Sequence, residues 1–351
     1  MWTTWVSSVP VREPPWWYGS PRWPGALLQP VSAVYGFLAQ RRLRRAPRER
    51  VRLPVVCVGN FTAGGTGKTP LAIHLAKSLS GWGHHPVFLT RGYGGRGGAP
   101  RLVDLARDTS AEVGDEALLL ARHAPVIVAA DRVAGASAIR QAIASASLII
   151  MDDGLQNPHL AKDAIVAVVD GARGFGNGRI IPAGPLRAPL EAQFELADVI
   201  VVNGGGARAA QLTAELRSRV HVPVLKCQAA PMGDPDALRG RRLLAFCAIG
   251  NPERFRLLLE KAGAEVVAWR TFPDHHLFTP REAQALLRDA AALGVELMTT
   301  EKDRVRLTGY SGVLGELANQ VRTLPITLQF EGNDDERLMD VIRACLTRRP
   351  P

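Results

Sequence analysis

Cysteine is scarce in this chain of 351 residues: Cys57, Cys227, Cys247 and Cys345 stand far apart, with no CxxC pair. That spacing argues against a disulfide framework and a zinc cluster, and it suits a reducing compartment. Long apolar runs are lacking too. The stretch from Pro24 to Gln40 (PGALLQPVSAVYGFLAQ) is interrupted by Gln29, Pro30 and Ser32, so it falls short of the roughly 20 predominantly apolar residues that a spanning helix needs. A signal peptide is not expected, because the positive charges follow the apolar stretch instead of preceding it. Repeats and low-complexity tracts are absent beyond one arginine cluster, and 46% apolar with 22% charged residues excludes global disorder.

The charge that is present is unevenly placed. Residues 1–52 hold nine arginines and two acids, a net of +7, whereas the remainder holds 34 bases and 31 acids, a net of +3. Five of the seven tryptophans (Trp2, Trp5, Trp16, Trp17, Trp23) share this basic head. Val31, Val34, Tyr35 and Leu38 recur at helical spacing, and Arg41, Arg42, Arg44 and Arg45 follow where cations favour the helix dipole. Such a helix suits a membrane interface with anionic lipid. Two other readings are a solvated arm whose apolar stripe packs on its own domain and a nucleic-acid tail. The apolar run would be wasted on nucleic acid, so no nucleic-acid partner is expected.

After Pro54 the order is a buried apolar run VVCVGN, a Gly-rich segment FTAGGTGKTP and an amphipathic stretch, as a phosphate-binding P-loop requires. The cradle is Thr62, Ala63, Gly64, Gly65, Thr66, Gly67, Lys68 and Thr69. Backbone N–H groups would close on phosphate oxygens, Lys68 would reach the β/γ-phosphates, and the Thr69 hydroxyl would lie on Mg²⁺ at the helix start. The strict pattern expects glycine where Thr62 stands. Ala63 occupies the position at which dimeric ATPase switches carry an in-trans lysine, and TEKD (Thr300 to Asp303) is not the NKxD motif that reads guanine. ATP is expected rather than GTP.

Downstream, LIIMDDG delivers Asp152 and Asp153 to the end of an apolar strand, where they could hold nucleotide-bound Mg²⁺ or simply form a turn. Asp115 and Glu116 open a helix, either as caps or as groups that hold metal or accept a hydroxyl proton. Arg91 in RGYGG, Arg132 in DRVAGA and Arg187 in GPLR follow strands, and arginines there suit phosphate groups, as they equally suit solvent. His275 and His276 are adjacent and flanked by Asp274, without further ligands for zinc.

Strands near 55, 87, 126, 148, 165, 199 and 223 alternate with helices, and a second alternating set follows. The expected class is α/β: a P-loop NTPase-type, doubly wound, mostly parallel sheet with a smaller α/β domain and an N-terminal membrane-interface helix. The divisions are 1–52 for the basic head, 53–225 for the P-loop core and 226–351 for the smaller domain.

The pieces VGNFTAGGTGKTP, RGYGG, VGDEALLLA, DRVAGA, MDDGLQN, GNGRIIPAGPLRAPL, FPDHH and TEKD span nearly the whole chain. In that order they resemble the tetraacyldisaccharide 4'-kinases, the lipid A 4'-kinases of Gram-negative bacteria. The resemblance implies transfer of the ATP γ-phosphoryl group, with Mg²⁺, to the 4'-hydroxyl of a tetraacylated glucosamine disaccharide 1-phosphate, giving lipid IVA. It implies a peripheral enzyme at the cytoplasmic face of the inner membrane. It assigns Lys68 and Thr69 to the phosphate loop, Asp152 and Asp153 to the metal strand, Glu116 to a metal-linked acid and Arg187 to the GPLR arginine. Asp115 matches the candidate base and His275 its partner. A membrane-associated ATPase switch that recruits a partner is the alternative activity. The chain departs from the usual family pattern at Asn157 and Ala188.

Overall fold

A computed structural model describes residues 13–21, 23–234 and 236–349. Trp2 and Trp5 of the tryptophan-rich head lie outside them. A single 3-10 turn at Pro15–Trp17 is followed by two α-helices, α1 (Trp23–Leu27) and α2 (Gln29–Arg45). Pro30 sits in the first turn of α2, where no N–H is needed, and Arg42, Arg44 and Arg45 sit in its last turn beside the free carbonyls.

From Val55 strands and helices alternate: β1 (Val55–Asn60), α3 (Lys68–Gly81), β2 (Pro86–Thr90), β3 (Arg101–Leu102), α4 (Ser110–Val113), α5 (Asp115–Ala121), β4 (Val126–Val128), α6 (Arg132–Ala142) and β5 (Leu148–Asp152). Then come β6 (Ala164–Asp170), α7 (Leu190–Phe194), β7 (Val199–Asn203), α8 (Gly206–Arg219) and β8 (Val224–Pro231). A smaller unit follows, with β9 (Arg242–Cys247), α9 (Pro252–Lys261), β10 (Glu265–Thr271), α10 (Pro280–Leu293), β11 (Glu296–Thr299), α11 (Glu301–Leu307), α12 (Gly312–Gln320) and β12 (Arg322–Thr323). Strand β13 (Ile326–Phe330) and helix α13 (Asp334–Thr347) end the described chain.

The large sheet has nine strands in the order β13-β8-β7-β6-β1-β5-β2-β4-β3, parallel except at its two edge pairs. Every residue of β1, β2, β5 and β7 is buried, because helices cover both faces and such strands must be apolar throughout. Leu71, Leu75 and Leu79 of α3 pack with Val56 and Val58 on one face, and Val55, Cys57, Val87 and Ile149 meet Ile139 of α6 on the other. The smaller sheet, β10-β9-β11-β12, is wholly parallel and has its own core around Leu244, Phe246, Leu286 and Leu317.

One sequence expectation is corrected. The division at 225/226 assigned everything beyond it to the smaller domain, but β8 runs to Pro231 within the large sheet and β13 returns to pair antiparallel with it. Leu338, Met339, Ile342 and Cys345 of α13 join the core with Val166, Val199 and Leu225. The apolar stripe of α13 needs a sheet face, and β13 covers what would otherwise be an open edge of β8.

Helix α2 is built the opposite way from a soluble surface helix. Its packed side carries Ser32, whose Oγ accepts the Ala183 N–H at 2.9 Å, and Gly36, where a Cβ would collide with Ile180. Its outer side carries Val31, Val34, Tyr35, Phe37 and Leu38, with Val34 62% and Phe37 63% exposed. The apolar stripe is therefore not packed on its own domain. Among the described residues no helix is long and apolar enough to cross a membrane.

Candidate active site

The phosphate loop joins β1 to α3. The Asn60 side-chain amide donates to the carbonyls of Thr62 (2.7 Å) and Gly64 (3.3 Å), which shapes the turn. Gly64 (φ 99°) and Gly67 (φ 92°) adopt left-handed backbone that favours glycine. Thr62 needs no such freedom: it leaves β1 bridged to Leu186, the Ala63 N–H donates to the Pro185 carbonyl at 2.8 Å, and the Arg187 N–H donates to Phe61. The GPLR segment thus braces the loop at the position where the strict motif carries glycine. A Cβ on Gly64 would collide with the carboxylate of Glu13, so an anion already lies against this turn, its other oxygen held by Arg173 at 2.7 Å.

Lys68 opens α3 and is nearly buried, with Nζ 3.8 Å from Asp153 Oδ1. Arg187 Nη1 reaches both oxygens of Asp153 (2.8 and 3.0 Å), and its Nε donates to the Thr62 carbonyl. Burial would raise the Asp153 pKa, but Arg187 and Lys68 overcome it and hold the carboxyl well below the ordinary range. Asp152 differs. It is fully buried, neither carboxylate oxygen has a hydrogen-bond partner among the described residues, and burial together with the Glu116 charge pushes it up to about 7. A buried carboxylate with no hydrogen-bond partner among the described residues, beside the phosphate loop, is a fitting donor for an oxygen-seeking cation.

Among the described residues no three His, Cys, Asp or Glu side chains are gathered as a ligand set, so Thr69, Glu116, Asp152 and Asp153 do not form a ready cage. Mg²⁺ fits nonetheless, since it is commonly held by one or two carboxylates plus substrate phosphates and water. Glu116 is engaged by Lys302 at 3.1 Å, and that charge keeps its carboxyl below the ordinary range against burial.

The structure brings Asp115 and His275 together from the two units: His275 Nδ1 lies 3.1 Å from Asp115 Oδ2. Oδ1 of Asp115 accepts the Glu116 N–H at 2.8 Å, and Oδ2 also accepts from Nε (2.7 Å) and Nη2 of Arg306. Burial opposes ionisation of Asp115, yet Lys302 and Arg306 hold its carboxyl far below the ordinary range. With Asp115 ionised, Nδ1 of His275 is the nitrogen that donates to it, so in the neutral imidazole Nε2 is the acceptor; Nε2 lies 3.8 Å from Asp274 Oδ2. His275 itself sits at φ 60°, an uncommon backbone for a side-chain-bearing residue.

The loop arginines diverge. Arg91 is exposed just beyond β2. Arg132 is 4% exposed and turns inward to the Ala129 carbonyl; burial lowers it to about 10, partly offset by Asp153. Asn157 caps a turn, its Oδ1 accepting the N–H groups of His159 and Leu160, while the Ala188 carbonyl accepts from Gln193. The sequence pattern alone missed Lys302 and Arg306: TEKD drew notice as a motif that is not NKxD and as a piece of the family resemblance, with no role given to its lysine, and an acid and a base three apart usually mark a solvated helix face. It also missed Asn203 at the end of β7, whose amide donates to the Thr66 carbonyl at 2.9 Å.

A family model for tetraacyldisaccharide-1-P 4'-kinase (LpxK) matches residues 24–346. A tetraacyldisaccharide 4'-kinase of Methylobacterium radiotolerans is 48% identical over 96% of this chain and 99% of its own length. One of a Bradyrhizobium species is 45% identical over 91% and 92%. The crystal structure of LpxK from Aquifex aeolicus in complex with ATP superposes with a TM-score of 0.71 at 25% identity, covering 92% of this chain and 99% of that one. The chain therefore belongs to the tetraacyldisaccharide-1-P 4'-kinase family.

Proposed function

We propose that this chain transfers the γ-phosphoryl group of ATP to the 4'-hydroxyl of a tetraacylated glucosamine disaccharide 1-phosphate in lipid A biosynthesis, at the cytoplasmic face of the bacterial inner membrane. The observation that carries the chemistry is the Asp115–His275 pair, contributed by different units and set beside a P-loop. Its division of labour is the reverse of the motif-based expectation. Both oxygens of Asp115 are already engaged and its charge is strongly favoured, so Asp115 orients the imidazole and stabilises the imidazolium. His275 Nε2 takes the hydroxyl proton as the acceptor oxygen attacks the γ-phosphorus. The bond from that phosphorus to the β–γ bridging oxygen breaks, and ADP leaves.

Lys68 lies where it can offset charge on the β/γ oxygens, held in place by Asp153, which Arg187 in turn fixes. Bound Mg²⁺, held by Asp152 and the Thr69 hydroxyl with Glu116 close by, would neutralise the same oxygens. Arg91 is free to meet a phosphate of the acceptor, whereas Arg132 contributes charge from below. The exposed apolar side of α2, edged by Arg41, Arg42, Arg44 and Arg45, suits the headgroup layer of an anionic membrane, with ~1 kcal/mol per arginine at the surface.

Labelled phosphoryl transfer from γ-labelled ATP to the glycolipid acceptor in mixed micelles tests the activity. His275→Ala should lower kcat by about 10²–10⁴ with little change in KM for ATP. Wild-type turnover in that variant would remove the histidine from proton transfer. Val34→Glu with Leu38→Glu should reduce co-sedimentation with anionic vesicles and leave the fold intact. Unchanged co-sedimentation would assign the apolar side of α2 another role.

A further inference from the structure

Behind the Asp115–His275 pair lies a side chain that the proposed chemistry does not use. Arg306, on α11 of the smaller unit, is only 2% exposed, and its guanidinium is engaged on every side. Nε and Nη2 donate to Asp115 Oδ2, while Nη1 donates to the Ala248 carbonyl and to Asp303 Oδ1, both at 2.6 Å. The Ala248 N–H donates to both oxygens of the Asp303 carboxylate at 3.2 Å. The Ala248 carbonyl also accepts the backbone N–H of His275 at 3.2 Å. One guanidinium therefore grips the acid of the pair directly and, through a single peptide unit, the backbone of the histidine.

This arrangement serves more than cohesion. Burying two carboxylates and one guanidinium together is roughly break-even against apolar packing, or worse, so stability alone is a weak reason for it. The left-handed backbone of His275 persists only where its surroundings over-determine it, and the bond to Ala248 is one of those restraints. Arginine suits the task where lysine would not: its planar fork satisfies Asp115, Asp303 and a carbonyl at fixed angles, whereas an ammonium is a point charge on a flexible stem.

We propose that Arg306 is a positioning residue for phosphoryl transfer. It holds Asp115 of the P-loop unit in register with His275 of the smaller unit, so that Nε2 of the imidazole is presented to the acceptor hydroxyl, and it touches neither nucleotide nor acceptor. This inference rests on the assignment of His275 as proton acceptor.

The test is a cycle of Arg306→Lys and His275→Ala in the full-length protein, with kcat and KM measured for ATP and for the glycolipid acceptor. Arg306→Lys should lower kcat by about 10- to 100-fold, the cost of a small misplacement of a reacting group, with KM for ATP nearly unchanged. In the His275→Ala background the same substitution should cost almost nothing further, because arginine acts through the histidine. Equal losses in both backgrounds, an unchanged kcat, or a raised KM for ATP at constant kcat would each overturn the proposal. If Arg306→Lys does not fold, Asp303→Asn loosens the same clamp and decides by the same criteria. Full activity in His275→Ala alone would instead bring down the assignment on which the inference stands, and the cycle separates the two failures.

Discussion

Two pairs of consecutive acids lie within the field of Lys68, and the fold treats them in contrasting ways. Asp152 and Asp153 end a strand of the large sheet. Asp153 is saturated by Arg187 and Lys68 from its own unit, while Asp152 has no hydrogen-bond partner among the described residues. Asp115 and Glu116 open a helix, and both are partnered from the smaller unit, by Arg306 with His275 and by Lys302. Within the strand pair only Asp152 lacks a protein partner among the described residues, whereas the helix pair is completed by apposition of the second unit. Sequence adjacency thus conceals a division between a carboxyl whose ionisation a cation would favour and charge that registers two halves of a site.

The largest expected effect breaks the strand pair. Asp152→Asn should lower kcat by about 10²–10³, the usual cost of removing one electrostatic contact to the transferred group. It should also stabilise the ligand-free protein. Burial holds the Asp152 carboxyl protonated up to about 7, against an ordinary value of 3.8. Between those values the folded state binds a proton that the unfolded state has lost, so wild-type stability falls as pH rises through that window. The advantage of asparagine should therefore grow between about pH 4 and 7 and level off above it in thermal melts with chelator present. Mg²⁺ with ATP should then stabilise the wild type more than the variant. A melting difference that does not change with pH would show that Asp152 is ionised throughout and already partnered.

The helix pair should respond differently. Lys302→Met removes the partner of Glu116, and with both side chains about one-fifth exposed the loss should be ~2–3 kcal/mol, below the full cost of breaking a buried pair. Adding Glu116→Gln should recover part of that loss, since the uncompensated charge disappears. Denaturant unfolding measures both. Strictly additive losses would mean that the two groups do not interact, and the contrast between the acid pairs would fail.

Much of this site could be read from local spacing, and the remainder could not, for a physical reason. A strand, a Gly-rich loop and Gly-Lys-Thr at a helix start are set within fifteen residues, so the P-loop and its glycines were legible. So were Asp152 and Asp153 at the end of an apolar run. The apolar stripe of α2 was visible as well, but periodicity cannot say which side faces inward; Ser32 and Gly36 decide that by fitting closely against Ala183 and Ile180. Arg306 was hidden because its burial depends on the approach of α11 to α5, about 190 residues apart in the chain. The return of β13 and α13 to the large sheet was hidden likewise, since an amphipathic pattern specifies that a face must be covered, not by which sheet.

A fifth acid sharpens the comparison with the smallest effect. Glu13 belongs to neither pair; it comes from the basic head and lies against Gly64 of the phosphate loop, one oxygen on Arg173 and the other without a partner among the described residues. Arg173 also donates to the Gly250 carbonyl, so this contact links head, loop and smaller unit. Burial raises the Glu13 pKa, partly offset by Arg173, which is the signature of a carboxylate placed where its charge is tolerated but not fully matched. The β/γ-phosphates of ATP would compete for the same cradle. Glu13→Gln keeps the shape and the contact to Arg173 but removes the repulsion, so KM for ATP should fall by about two- to fivefold, as expected of a partly exposed charge. Salt screens such repulsion, so the gain should shrink as ionic strength rises. A KM that increases would mean that Glu13 supports the loop through Arg173 and does not oppose the nucleotide.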